Sequence, residues 1–210
     1  DEQIMRHMGL ARQASRDRAR EMLDRVGIPS PRERYDSYPH QLSGGMRQRA
    51  MIAMALSCDP EFLIADEPTT ALDVTIQGQI LELIQRMQDE LHMSVQFITH
   101  DLGVISEISD EVLVMYAGVA CEMAPTQELI GNPRHPYTVA LLESIPRLGR
   151  RAARLPAIGG MVPSLFELPA GCPFQNRCPR AGDECRAARP PMQTVAPGHK
   201  VACFNPVGAR

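Results

Sequence analysis

Between residues 61 and 99 the chain reads "EFLIAD", then "VTIQGQILELIQRMQDEL", then "SVQFIT", and this succession constrains the fold more than any other feature. The two outer pieces are short apolar runs without the polar alternation of a half-exposed strand, so they read as buried parallel strands. The middle piece repeats Ile76, Ile80, Leu83, Ile84, Met87 and Leu91 at helical spacing, an amphipathic helix of several turns. Strand, helix, strand in this rhythm predicts an α/β fold with a largely parallel sheet and flanking helices. Ligands in such sheets sit at the carboxyl ends of the strands. At those ends stand Asp66 and Glu67, after "FLIA", and His100, after "VQFIT". Taken singly, an Asp-Glu pair is a solvated acidic turn and a lone histidine a surface or satisfied core residue.

Upstream, "HQLSGGMRQRA" (residues 40–50) places Ser43, Gly44 and Gly45 at the mouth of a helix that is expected to run from Ser43 to about Ser57. Its apolar face is read as Met46, Ala50, Ala53, Met54 and Leu56. A hydroxyl and two glycines at a helix N-terminus suit a phosphate, because free N–H groups and the helix dipole point at the anion. A GxxxxGK[ST] phosphate loop is nevertheless absent: the one lysine of the 210 residues is Lys200, in "PGHKVA". The first forty residues read as one or two charged helices stopped by the prolines of "PSPRERYDSYP". Beyond His100, "LGVISEIS" reads as a short helix, and "EVLVMYAG" with "VACEM" as two strands around a glycine turn.

With 44% hydrophobic residues the composition is globular, and charge divides the chain into parts. Residues 1–40 hold 8 basic and 7 acidic side chains, 41–146 hold 4 and 15, and 147–210 hold 10 and 3. An acidic middle speaks against a nucleic-acid-binding face there, which needs clustered Lys and Arg. The last part also carries 9 of the 18 prolines and four of the six cysteines, placing a boundary near Pro146. The longest clean apolar run, "AMIAMAL" (50–56), is too short to span a bilayer, and the first residues lack the features of a signal peptide. The opening on Asp1, without an initiator methionine, is read as that of a piece of a longer chain.

The order of these motifs resembles the ATP-binding subunits of ABC transporters. "LSGGMRQRA" (42–50) looks like the signature, with Met46 where many members have Gln; "FLIADE" (62–67) like the Walker B strand and its following glutamate; "ALD" (71–73) like the D-loop; and "ITHD" (98–101) like the switch histidine. The resemblance covers residues 1–146, with 1–40 as the end of the helical subdomain and 41–146 as the ATPase core, and it puts the Walker A loop upstream of residue 1. It implies the C-terminal part of a P-loop NTPase domain, working as a dimer of two ATPase subunits, homo- or heteromeric. In that dimer Ser43, Gly44 and Gly45 would cap the ATP held by the partner, where glycines let the backbone approach the phosphate closely. Glu67 would position the attacking water, Asp66 would reach Mg²⁺, His100 would contact the γ-phosphate, and Asp73 would couple the two sites. The 210 residues alone, lacking the lysine and amide cradle, are expected to be inactive.

"NPRHPYTVALLESIP" (132–146) and the cysteine-bearing region 147–210 resemble the oligopeptide and dipeptide importers, including the dipeptide-permease type. This branch implies ATP-driven peptide uptake from the cytoplasmic face of the cell membrane, with two integral membrane permease subunits and, indirectly, an extracytoplasmic peptide-binding protein. The alternatives are a soluble ABC ATPase acting on nucleic acid or ribosomes, or an importer of another small solute such as a metal chelate. Cys172, Cys178, Cys185 and Cys203, spaced Cx5Cx6Cx17C, would hold a [4Fe–4S] cluster, as members of the branch with such a tail can. Zn²⁺ is the alternative, although structural zinc usually takes closer ligand pairs. Cys58 and Cys121 lie in apolar contexts and read as small core residues.

Overall fold

The structure, a computed structural model, describes residues 1–70, 72–145 and 157–208. Ala71 of the D-loop and the boundary at Pro146 therefore lie outside the described residues. The chain divides into two compact units, Asp1–His100 and Asp101–Arg210.

In the first unit, helices α1 (Glu2–Met8), α2 (Arg12–Arg25) and α3 (Pro31–Arg34) precede a 3-10 turn at Pro39–Gln41. Helix α4 (Gly44–Leu56) leads to β1 (Phe62–Asp66), then α5 (Val74–Leu91) and β2 (Ser94–Ile98). Strands β1 and β2 pair in parallel, Phe62 opposite Ser94 through Asp66 opposite Ile98, as the strand-helix-strand rhythm predicts, but they are not buried on both faces as their apolar runs suggest: Phe62, Ile64 and Ile98 are exposed. Helix α5 buries Ile80, Leu81, Leu83, Ile84 and Met87, and all of these but Leu81 join one cluster with Met22, Val26 and Ile28 and with Ile52, Ala53 and Leu56 of α4. Burying such a side chain contributes about 1.5–3 kcal/mol each, so this one cluster organises the unit. The face of α4 differs from its expected one: Met54 is exposed, and Ile52 joins Ala53 and Leu56 inside. Ile52 and Leu56, four residues apart, stand on one stripe of the helix with Ala53, and Met54 is turned a further 100° out of it. Cys58 is half-buried at the foot of α4 rather than a core residue, whereas Cys121 of the second unit is buried.

The second unit begins with α6 (Leu102–Ile108), capped by the Asp101 carboxylate, which accepts from the Gly103 and Val104 amides. Strands β3 (Glu111–Tyr116) and β4 (Val119–Pro125) form an antiparallel hairpin. Its two turn residues, Ala117 and Gly118, have φ of 47° and 77°, the left-handed pair that matches strand twist in a two-residue hairpin. Helices α7 (Thr126–Gly131) and α8 (Pro136–Glu143) follow, then α9 (Asp183–Ala187), β5 (Gln193–Ala196) and β6 (His199–Val201). Strand β6 pairs antiparallel with both β4 and β5, so the proline- and cysteine-rich region completes a four-stranded sheet in the order β3-β4-β6-β5.

Candidate functional site

The carboxyl ends of β1 and β2 bring Glu67 and His100 together. His100 Nδ1 stands 2.7 Å from Glu67 Oε1, and the Glu67 amide donates to the Ile98 carbonyl at 2.8 Å, which carries the strand pairing one residue past β1. The Thr70 hydroxyl donates to the other carboxylate oxygen, Oε2, at 2.7 Å. Glu67 has φ 46°, in the left-handed region that side-chain sterics disfavour and that clusters at functional sites. The bonds from His100 and then Thr70 hold its carboxyl below the usual range, so it is ionised at neutral pH. His100 is 84% and Glu67 39% exposed, which leaves this pair open to a ligand. Asp66, the last residue of β1, is also exposed.

Ser43 is the N-cap of α4, its hydroxyl oxygen accepting from the Met46 amide at 3.3 Å. A side chain on Gly45 would meet the Ile76 side chain at 3.2 Å, so this glycine admits α5 beside the start of α4 as well as keeping the helix mouth open. Asp73 caps α5 through the Ile76 amide at 3.0 Å. Ser43 and Asp73 are thus both bonded to their own helices.

The four tail cysteines converge. Cys172, Cys178, Cys185 and Cys203 are free thiols lining one small pocket, together with Phe174 and Arg180. Gly171 makes this possible: a Cβ there would collide with the backbone carbonyls of Cys185 and Arg186, and the Cys172 amide donates to the Cys185 carbonyl at 2.8 Å. Burial pushes Cys203 up to about 11 and also raises Cys172 and Cys178, so these thiols are neutral at pH 7. The donor chemistry suits a soft metal centre. The arrangement does not yet form one: among the described residues no group of three or more His, Cys, Asp and Glu side chains could hold a metal ion as it stands.

Sequence reasoning missed a fully buried carboxylate of this unit. Glu122 of β4 is fully buried, and its carboxylate accepts from the Arg134 amide at 2.6 Å, the His135 amide at 2.9 Å and His199 Nε2 at 2.7 Å. His135 Nδ1 in turn accepts from the Tyr137 amide at 3.0 Å and caps α8. The "RHPYT" segment is therefore a folding device: its amides satisfy a buried carboxylate, and its histidine starts a helix whose first residue is proline. The His-Pro pair at a helix start is the signal in sequence, but the carboxylate that its amides satisfy lies more than ten residues away.

Among the described residues, no helix is long and apolar enough to cross a membrane. The ABC transporter family matches at residues 1–70, and the family described as "Oligopeptide/dipeptide transporter, C-terminal region" matches at 121–185. A putative peptide import ATP-binding protein of Brucella abortus (strain 2308) is 55% identical over 95% of this chain, and the oligopeptide transport ATP-binding protein OppD of Salmonella typhimurium is 48% identical over 98%. The chain spans 61% of the length of each. Among solved structures, cbiO1 from Clostridium perfringens, part of the ABC transporter complex cbiONQ, matches with a TM-score of 0.52 and 32% identity, over 59% of this chain and 48% of that one. These two family matches and the alignment over nearly the whole chain make it similar to the ATP-binding proteins of ABC transporters, and to those of oligopeptide and dipeptide transport in particular.

Proposed function

We propose that this chain is part of an ATP-hydrolysing subunit that powers uptake of dipeptides and oligopeptides through an ABC importer. The observation that carries the reading is the ionised Glu67 carboxylate held against His100 at the ends of a parallel strand pair, where an α/β sheet presents its ligand. Glu67 accepts a proton from, or orients, the attacking water; His100 contacts the γ-phosphate; this is positioning and electrostatics rather than covalent chemistry. Asp66 is suited to Mg²⁺, which takes one or two carboxylates alongside phosphate oxygens and waters and supplies neutralisation of phosphate charge. Ser43, Gly44 and Gly45 cap ATP on a partner ATPase subunit, and Asp73 couples the two sites.

In this reading residues 1–40 end the helical subdomain, 41–146 belong to the ATPase core, and 147–210 form the transporter-type C-terminal region. The subunit sits peripherally on the cytoplasmic face of the membrane, against two permease subunits, with an extracytoplasmic peptide-binding protein as an indirect partner. It binds no nucleic acid, consistent with 15 acidic against 4 basic side chains in residues 41–146. Cys172, Cys178, Cys185 and Cys203 hold one structural metal centre, [4Fe–4S] in preference to Zn²⁺. Their convergence on one pocket supports this, and binding requires the four thiols to lose their protons and close in.

In the full-length assembled transporter, Glu67→Gln retains ATP binding and lowers turnover by roughly 10²-fold or more. Near-normal hydrolysis by that variant would overturn the assignment. For the tail, iron, sulfide and zinc are assayed in anaerobically purified protein. Four irons per chain identify the cluster, one zinc identifies the alternative, and neither metal refutes a metal centre.

A further inference from the structure

Glu67 is the last residue before a turn that is held from two helices. Gln48 Nε2 of α4 donates to the Pro68 carbonyl at 2.7 Å, and Gln77 Nε2 of α5 donates to the Thr69 carbonyl at 3.3 Å. Pro68 and Thr69 are buried, and the Thr70 amide closes the turn on the Glu67 carbonyl at 3.2 Å. Thr70 itself is exposed, so its side chain owes little to packing; its hydroxyl donates to Glu67 Oε2 at 2.7 Å. The carboxylate is thus gripped at both ends, one oxygen by His100 and the other by Thr70, on a residue whose backbone is already in the left-handed region.

We propose that Thr70 is a positioning residue for Glu67: its hydroxyl, carried on a turn fixed by Gln48 and Gln77, sets the rotation of the carboxylate that meets the attacking water. This rests on the reading of Glu67 as the water-orienting group. A glutamate has three side-chain torsions, and one contact from His100 leaves the carboxylate free to rotate about it. The second contact removes that freedom before the nucleotide arrives. The Gln48 bond also ties the orientation to α4, the helix whose N-terminus carries Ser43 to Gly45.

The test measures steady-state ATP hydrolysis by the full-length assembled transporter carrying Thr70→Val, Thr70→Ser, Thr70→Ala or Glu67→Gln. Thr70→Val keeps the shape and removes the donor, and it lowers kcat by roughly tenfold with KM for ATP unchanged, the signature of a misaimed reacting group. Thr70→Ala does the same and guards against a folding defect particular to Val. Thr70→Ser restores kcat, which a purely structural role for the side chain would not require. Wild-type kcat in both Thr70→Val and Thr70→Ala, or an equal loss in Thr70→Ser, overturns the role of the hydroxyl. So does a raised KM with kcat intact. If Glu67→Gln itself turns over normally, the reading of Glu67 fails, and that outcome is distinct from the others.

Discussion

Replacing Glu122 tests whether the buried carboxylate holds the second unit together. Its two oxygens receive three donors, the Arg134 and His135 amides and His199 Nε2, with no exposure to water on either Glu122 or His199. In Glu122→Gln the amide oxygen can face only one side. If it takes the Oε1 place, its NH₂ group points at the His135 amide, donor against donor. One orphaned buried N–H costs about 1–3 kcal/mol, and hydrogen bonds to a neutral acceptor are weaker than those to a charged one, so a loss of about 3 kcal/mol is expected. Glu122→Ala orphans all three donors and falls at the upper end of the roughly 3–5 kcal/mol for breaking a buried pair. His199→Ala leaves the carboxylate with two amides only and ranks beside it. Because the chain has two compact units, the assay should be local: amide hydrogen exchange at Arg134 and His135 by NMR or fragment-resolved mass spectrometry. At about 1.4 kcal/mol per tenfold, Glu122→Gln should speed exchange there by roughly 10²-fold, and Glu122→Ala by more. Unchanged exchange at both amides in Glu122→Ala would refute the argument that this carboxylate is what they are bonded to in solution.

Three further outcomes are expected. Burial lowers His135 from 6.5 to about 4, the nearby Glu122 charge opposing it only in part, so below pH 6.5 the unfolded state takes up a proton that the folded state refuses. The start of α8 should therefore lose stability as pH falls from about 6.5 towards 4, by up to about 3 kcal/mol, while His135→Asn, which keeps a capping acceptor, should flatten that dependence in pH-series hydrogen exchange. Gly171→Ala forces a Cβ against the Cys185 and Arg186 carbonyls, and the labelling of Cys172 and Cys185 by a thiol reagent should accelerate; equal labelling rates would contradict the packing. Asp73→Ala should cost about 1 kcal/mol through loss of the α5 cap, and Asp73→Asn almost nothing, so a drop in turnover in the stability-neutral Asp73→Asn protein as well would mark a role at the dimer interface.

What was legible in the sequence is what local periodicity and residue type encode. The apolar runs and the 3.6-residue repeat at Ile76 to Leu91 specify β1, α5 and β2, and strand-helix-strand handedness leaves little choice but to place Glu67 and His100 at one edge. Ser43 before two glycines and Asp73 before "VTIQ" mark helix starts, and both act as caps. The Thr70 contact also lies within reach of sequence, three residues after Glu67, but nothing in "DEPTT" says which way Glu67 turns. Its φ of 46° belongs to a turn whose Pro68 and Thr69 carbonyls are held by Gln48 and Gln77 from two separate helices. The second unit depended on tertiary structure far more. Spacing alone left Cys172, Cys178, Cys185 and Cys203 as candidates, and composition marked the region after 146 as different. Neither indicates that β6 inserts between β4 and β5, because a three-residue strand carries too few side chains to announce a partner. That pairing sets His199 against Glu122 from 77 residues away, and a buried charge so far from its partner in sequence has no local pattern to betray it: only the folded unit, by excluding water from both groups, makes each one necessary to the other.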